Sequence, residues 1–406
     1  MTVIQVGEGD AALPAMDVDP FAAEFLNDPY PAHELLREAG PVVRLDRYGI
    51  CGVARHEEVR SVLSHWQSFC SSAGVGLSDF RKEPPWRPPS LLLETDPPLH
   101  NRARAILTRI LSPAAVRKLQ GEFEREAALL IDELIERGSF DAVKDFAERY
   151  PVKVFPDAVG LPEQGREKLL PYGSMVFNSF GPRNQLFEDA LARAADFTDW
   201  VASSCSRASL DPEKFGAQIY AFADSRVLSE HEAGMLVRAF LSAGVDTTVN
   251  ALGNAIHCFG MFPDQWALLR QNPSLARSAF EEVLRFESPI QTFFRTTTED
   301  VMLSGQRISE GTKVLAFLGA ANRDPRRWEN PNRFDITRRA SGHMAFGTGI
   351  HGCVGQAVAR LEADAILGAL AGKVGTIEIV GEPVRRFNNT LRGLQHLPVS
   401  FRPAAR

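Results

Sequence analysis

Apolar residues recur at three- and four-residue spacing over most of the chain, and the pattern changes to alternation in only a few places. "DPYPAHELLREAGPVVRL" predicts a short helix, stopped at Gly40 and Pro41, and then a strand. "GICGVARHEEVRSVLS" adds another strand and helix. From Ser112, "SPAAVRKLQGEFEREAALLIDELIERG" predicts one helix with a Ser cap, Pro in its first turn and a stop at Gly138. A long helical pattern covers Ser229 to Phe262, and another covers Ser274 to Glu287. Strand-like stretches follow in "VMLSGQRI" and "TKVLAFL", and helix returns after Cys353. The expected class is mainly α with small β-sheets, with a flexible leader over 1–20 and one domain over 21–406.

Two stretches break the pattern. "SSAGVGLSDFRKEPPWRPPS", Ser71 to Ser90, is crowded with Gly, Pro and Ser, and long loops of this kind are often lids or binding loops. "PYGSMVFNSFGPRNQL", Pro171 to Leu186, reads as a second irregular segment, with Phe177 and Phe180 just before a Gly-Pro break.

Composition narrows the class. The 406 residues are 44% hydrophobic and 24% charged, enough apolar material for a deep core. A net charge of −6 argues against general binding to nucleic acid or anionic membranes. No apolar run is long enough for a membrane span, and the acidic start lacks a signal-peptide layout, so a cytoplasmic protein is expected. The five cysteines are scattered and form no CxxC pair, which removes the usual zinc and iron–sulfur spacings. Phe is abundant, at 26 residues against 5 Tyr and 5 Trp, which suits either dry cavities or ordinary core.

One cysteine stands apart. "AFGTGIHGCVG" sets Cys353 after Gly347, Gly349 and Gly352, with Gly355 beyond it at the start of a helix. A helix N-terminus favours a thiolate, and bare glycines let the backbone pass close to a broad flat object. A single free cysteine is commonly a buried hydrophobe, and His351 is available as a base to a nucleophile; a metal held by one thiolate on a flat cofactor accounts better for the glycines.

"FGTGIHGCVG" resembles the FGxGxHxCxG signature of the cytochrome P450 haem-thiolate monooxygenases at every fixed position. The resemblance implies haem b with Cys353 as iron ligand, Phe346 beside it, His351 near a propionate and Gly355 at the cofactor face. Glu282 and Arg285 of "EEVLR" are similar to the family's ExxR pair, with Arg338 of "NPNRFDITR" as a third partner. Alone, the pair would be a surface ion pair worth about 0.2–0.5 kcal/mol. "LSAGVDTTVN" is similar to the oxygen-binding segment: Asp246 and Thr247 fall on its acid–alcohol pair, which relays protons, and Ala243 and Gly244 would border the oxygen site. Without the resemblance the segment predicts a distorted helix, because Gly is a weak helix former and Thr can bond back to a carbonyl. His100 and Arg104 of "DPPLHNRAR" match a propionate-gripping pair, and Arg295 of "FFRTTT" matches another such contact.

"GVGLSDF", "WRPPSLLLE", "FNSFGP", "ESPIQTFFRTTT" and "RRFNNTLRGL" resemble the bacterial branch that oxidises para-substituted benzoates. By that resemblance Arg87 and Ser90 bind the substrate carboxylate, with Arg238 in longer-range support. Leu93, Phe177, Phe180, Ile290 and Phe293 sandwich the ring, and Ala243 and Thr247 lie near the para substituent. Ala239 departs from the branch, which places a serine there. On its own terms Arg87, in a proline-rich loop, equally suits a solvent-facing side chain. The implied partners are a small aromatic carboxylic acid, O2, and a [2Fe-2S] ferredoxin with an NAD(P)H-dependent ferredoxin reductase. Docking would involve Arg338 and Arg339, and the expected state is a monomer. Rival readings are oxidation of another small hydrophobic acid, a peroxide-driven enzyme, and a non-catalytic haem sensor or electron carrier.

Overall fold

The computed structural model describes residues 13–404. Of the leader expected over 1–20, residues 1–12 lie outside the described residues; Pro14 and Met16 hydrogen-bond with Arg44 along the first strand. Among the described residues no helix is long and apolar enough to cross a membrane.

The long pattern from Ser229 to Phe262 folds as two helices, Glu230–Gly244 and Asp246–Met261, parted at Val245. Ser229 starts the first with a capping box: its hydroxyl accepts from the Glu232 N–H, and the Glu232 carboxylate accepts from the Ser229 N–H. The break falls where Thr247 and Thr248 donate their hydroxyls to the carbonyls of Ala243 and Gly244, at 3.0 and 3.3 Å. Gly244 has no side chain because a Cβ there would overlap the Phe155 ring. The second helix is buried almost all round, as a central core helix must be.

The single helix expected from Ser112 to Gly138 is also divided. Ser112 caps a short helix, Pro113–Arg117, and tight i→i−3 bonds from Lys118 and Leu119 turn the chain before Gln120–Arg137 begins. The irregular segment expected over Pro171–Leu186 is corrected more sharply. Leu169–Asn178 is a helix, and a second one begins at Gln185. Pro171 is harmless in the first turn, where its missing N–H has no intrahelical acceptor. The stretch before it, Ser71 to Ser90, is indeed free of helix and strand.

The strands form a small five-stranded sheet in the order Val43–Leu45, Ile50–Val53, Lys313–Phe317, Thr292–Thr297, Phe69–Cys70. "VMLSGQRI" becomes a hairpin of Val301–Leu303 and Gln306–Ile308, with positive φ at Ser304 (48°) and Gly305 (81°) making the turn. Near the C-terminus Val374–Ile379 pairs with Pro398–Pro403, and Val384–Arg386 pairs with Gly393–His396. The site lies between the broken helix pair and the loop that leads into Gln356–Lys373.

Candidate active site

The Cys353 loop is shaped by its own backbone. The Cys353 N–H donates to Phe346 O at 2.8 Å, and Gly352 N–H to Gly349 O at 3.1 Å. Gly347 and Gly349 have φ of 64° and 67°, and a Cβ on Gly349 would lie 2.8 Å from the Leu63 carbonyl. Asn322 fixes the loop's start by accepting from Met344 N–H at 2.6 Å. Gly355 caps the helix Gln356–Lys373. Burial raises the Cys353 thiol, while the N–H groups of Gly355 and Gln356 and the nearby Arg104 and Arg360 favour the thiolate. Among the described residues the cysteines form no disulfide.

Across the cavity from the sulfur wall stand Ala243, Gly244 and Thr247 of the broken helix pair. Arg104, Arg295 and His351 also line the cavity, and His100 packs its ring 4.5 Å from that of His351. Nε2 of both imidazoles is buried without a hydrogen-bond partner. Arg104 donates to the Gly352 carbonyl, which ties the helix Leu99–Ile110 to the cysteine loop. Burial holds His100 below its ordinary range and brings His351 down to about 4, with Arg295 and His100 adding to the latter and Asp96 opposing. Burial also lowers Arg295 to about 10, with Asp96 opposing. Asp96 accepts from the Ser71 and Ser72 N–H groups at 3.0 and 2.9 Å and lies 3.9 Å from His351 Nε2. Burial works against its charge, yet those bonds and the nearby imidazole hold it well below the usual carboxylate range.

Beneath the cysteine loop, Glu282 and Arg285 form a fully buried ion pair at 2.7 Å on the helix Ala276–Glu287. Arg285 also donates through Nη1 to the carbonyls of Asn322 and Pro331 and through Nη2 to that of Arg333, so both terminal nitrogens reach beyond its own helix. Arg338 Nε donates to Glu282 Oε1 at 3.2 Å, and so does the Asp335 N–H, at 3.0 Å.

At the other end of the cavity three phenylalanines meet. Phe180 stands 5.9 Å from both Phe177 and Phe293, in edge and tilted geometries. Leu93 and Ile290 border the same space. Arg87, Ser90 and Arg238 also line it, but differently from one another. Arg87 is held by Glu94, with Nη1 and Nη2 at 2.9 and 3.2 Å from its two oxygens. Ser90 Oγ accepts from Leu92 and Leu93 N–H and retains its own proton for donation. Among the described residues Arg238 has neither hydrogen bond nor ion pair. Its neighbour Ala239 brings no hydroxyl to the wall.

Asp246 does not border this cavity. Its carboxyl sits in a narrow crevice on the far side of the helix with Ser174, Asn250, Arg386 and Asn388. Burial raises it to about 8; Arg386 opposes the rise and Glu148 adds to it.

Sequence reasoning missed Glu94, Asp96, Arg386 and Glu148. Glu94 and Asp96 stand in "LLLETDPPLH", and two acidic residues between the quoted Arg87 and Arg104 were the available signal. For Arg386 and Glu148, 238 residues apart, no local pattern exists.

A lone sulfur, the Ala243–Thr247 segment, guanidiniums and unpartnered imidazole nitrogens gathered in one cavity fit a planar dianion ligated through iron. The arrangement defines a haem-thiolate protein. Comparison with known proteins is specific: the family description Cytochrome P450 matches residues 166–371. Cytochrome P450 CYP199A2 of Rhodopseudomonas palustris is 58% identical over 395 residues, covering 97% of this chain and 96% of that one. The structure of cytochrome P450 CYP109Q5 from Chondromyces apiculatus aligns with a TM-score of 0.80 at 30% identity, over 96% of this chain and 99% of that one. Cytochrome P450 CREJ, solved with (4-ethylphenyl) dihydrogen phosphate, aligns at 0.83 with 25% identity, over 94% and 98%. The chain belongs to the cytochrome P450 family, and it is a haem b monooxygenase.

Proposed function

We propose that this enzyme inserts one atom of O2 into para-substituted benzoic acids, by O-demethylation of 4-methoxybenzoate and hydroxylation of 4-alkylbenzoates. Its electrons would come from a [2Fe-2S] ferredoxin and a ferredoxin reductase. The observation that carries the reading is an unpaired guanidinium, Arg238, on the wall of a cavity that also holds Phe177, Phe180, Phe293, Leu93 and Ile290. A buried carboxylate is costly unless paired, so such a cavity favours a short aryl acid and orients it.

The division of labour differs from the sequence expectation in one respect. Arg87 already spends its fork on Glu94, so its positive charge is largely cancelled within the loop. The carboxylate therefore falls to Arg238, with the Ser90 hydroxyl as a second donor. Phe177, Phe180 and Phe293 hold the ring, Leu93 and Ile290 fill its edges, and Ala243 and Thr247 flank the para group.

When bound, haem b supplies oxygen activation, with Cys353 as its ligand. The donor set at the rim fits the propionates: His100 and His351 present free nitrogens, and Arg104 and Arg295 present charge. Glu282, Arg285 and Arg338 hold the meander under the cysteine loop. Asp246 carries a proton at neutral pH, and the Thr247 hydroxyl, bonded to Ala243 O, is the group through which it reaches the cavity.

The test is the ferric spin-state shift on titration with 4-methoxybenzoate and with 4-methoxybenzamide. The acid should bind more tightly, and Arg238→Leu should weaken it by about 10–100-fold, the value of a charge-assisted pair of roughly 1.5–3 kcal/mol, without affecting the amide. Equal responses to acid and amide in the wild type would refute the carboxylate reading.

A further inference from the structure

Glu281 stands next to the buried Glu282 on the helix Ala276–Glu287, but it belongs to a separate cluster. Both of its oxygens accept from Arg360, through Nε and through Nη2, the latter at 3.2 Å. His343 Nε2 donates to it at 2.9 Å. The tautomer is fixed by the backbone: His343 Nδ1 accepts from the Ala345 N–H at 3.1 Å, so the ring proton is on Nε2. Arg360 lies on the helix Gln356–Lys373 and completes its fork by donating Nη1 to Gln356 Oε1 at 2.7 Å. The cluster is mostly buried, with 22% of the Arg360 side chain, 16% of Glu281 and 3% of His343 exposed. Burial works against the Glu281 charge, yet the bonds from His343 and Arg360 hold it down to about 2. The neighbouring cation, Arg277, is spent on Asp364.

The held guanidinium stands over a residue of the cysteine loop. Its carbon is 4.7 Å from the centroid of the Phe346 ring, within cation–π range, and His343 flanks the same ring at 5.6 Å. The Phe346 carbonyl accepts from the Cys353 N–H, so ring and sulfur share one turn. Arg360 is also among the charges that favour the Cys353 thiolate. A mostly buried ion pair is seldom the most stable filling for its space, because apolar side chains of similar volume avoid the desolvation cost. The pair therefore calls for a role besides packing.

We propose that Arg360, held over Phe346 by Glu281 and His343, tunes the reduction potential of the iron that Cys353 ligates. Reduction brings in one electron and leaves one more negative charge beside the sulfur. Arg360 stabilises that charge and Glu281 opposes it, while neither residue gains or loses a proton or an electron. The two act with opposite sign, and their mostly buried setting limits screening by solvent. Glu281 and His343 are thus positioning residues: the carboxylate fixes the guanidinium on the ring, and the imidazole fixes the carboxylate. The inference is independent of which substrate the cavity takes.

The experiment titrates the holoenzyme with dithionite and mediator dyes, without substrate or ferredoxin, and reads the ferric–ferrous midpoint and the spin state from the same spectra. Arg360→Gln should favour the ferric state by about tenfold, a fall of ~59 mV for one electron. Glu281→Gln should shift the midpoint by a similar factor in the opposite direction, and the double variant should return toward the wild type. Arg360→Lys keeps the charge and should stay within about threefold of the wild type. The carbon monoxide Soret band checks that Cys353 remains the ligand in each variant. A merely structural cluster predicts that both single variants move the midpoint the same way, because each breaks the same contacts. That result, or no shift in either variant, would overturn the proposal, and so would a shift that only follows a change of spin state. If Arg360→Gln does not assemble with haem, a raised midpoint in Glu281→Gln beside an unmoved one in Arg360→Lys supports the proposal, and any other outcome of those two refutes it.

Discussion

Replacing Asp246 with Asn should make the folded protein more stable, and increasingly so as pH rises. The carboxyl is fully buried and is raised from 3.8 to about 8, so the native state keeps a proton that the unfolded chain releases above about pH 4. A group whose folded value is raised favours the folded state fully at low pH and loses that contribution as pH climbs toward the folded value. Each pH unit in this window is worth about 1.4 kcal/mol. From pH 5 to pH 7 the wild type should therefore lose about 2.7 kcal/mol that the Asn variant, which has nothing to ionise there, does not lose. Above pH 8 the difference should level off. Urea unfolding at pH 5, 6, 7 and 8, followed by Soret absorbance and tryptophan fluorescence, measures the gap, and other titrating groups cancel between the two proteins. Parallel pH profiles would mean that the carboxyl is ionised or wet in the native state, and the reasoning from burial would fail.

Glu282→Gln leaves Arg285 and Arg338 facing a neutral amide in a fully buried site, and should cost about 3–5 kcal/mol. The yield of protein showing the thiolate-type carbon monoxide Soret band should collapse, while Arg338→Ala, which loses bonds to that carboxylate and to the Glu329 and Asn330 carbonyls but leaves the Glu282–Arg285 pair, should cost less, about 1.5–3 kcal/mol. Gly349→Ala must adopt φ near 67° and push against the Leu63 carbonyl, so it should cost at least roughly 1–3 kcal/mol and accelerate haem loss to apomyoglobin. Wild-type haem retention would show that the loop yields more easily than its close contact implies.

What was legible in the sequence was whatever lay within one turn or one loop. The glycines around Cys353, the three-residue step from Glu282 to Arg285 and the Gly-then-Thr segment at 244–248 each state a local conformation, and each is found as a loop, an ion pair and a helix break. The irregular reading of Pro171–Leu186 held only around its Gly-Pro break, Gly181 and Pro182, which parts two helices. Gly173 lies inside a helix against the Asp246 carboxyl, 73 residues further on, a contact that no window over the segment reveals. The Arg87–Glu94 pair was hidden for a similar reason. Its two members sit seven residues apart across an aperiodic loop, where spacing carries no rule about which side chains meet.

Asp96 joins two regions that have been described separately. Its oxygens are fixed by the amides of Ser71 and Ser72, at the head of the irregular loop, while its charge faces His351 and Arg295 at the cofactor rim. The head of that loop is in turn anchored by Lys313, whose ammonium donates to the carbonyls of Ala73 and Gly74 at 2.9 and 2.8 Å. The head of the loop that borders the substrate thus holds a fixed negative charge, Asp96, beside the cofactor rim. Displacing its first residues changes the local electric potential at that edge, so the reduction potential becomes a gauge of loop position.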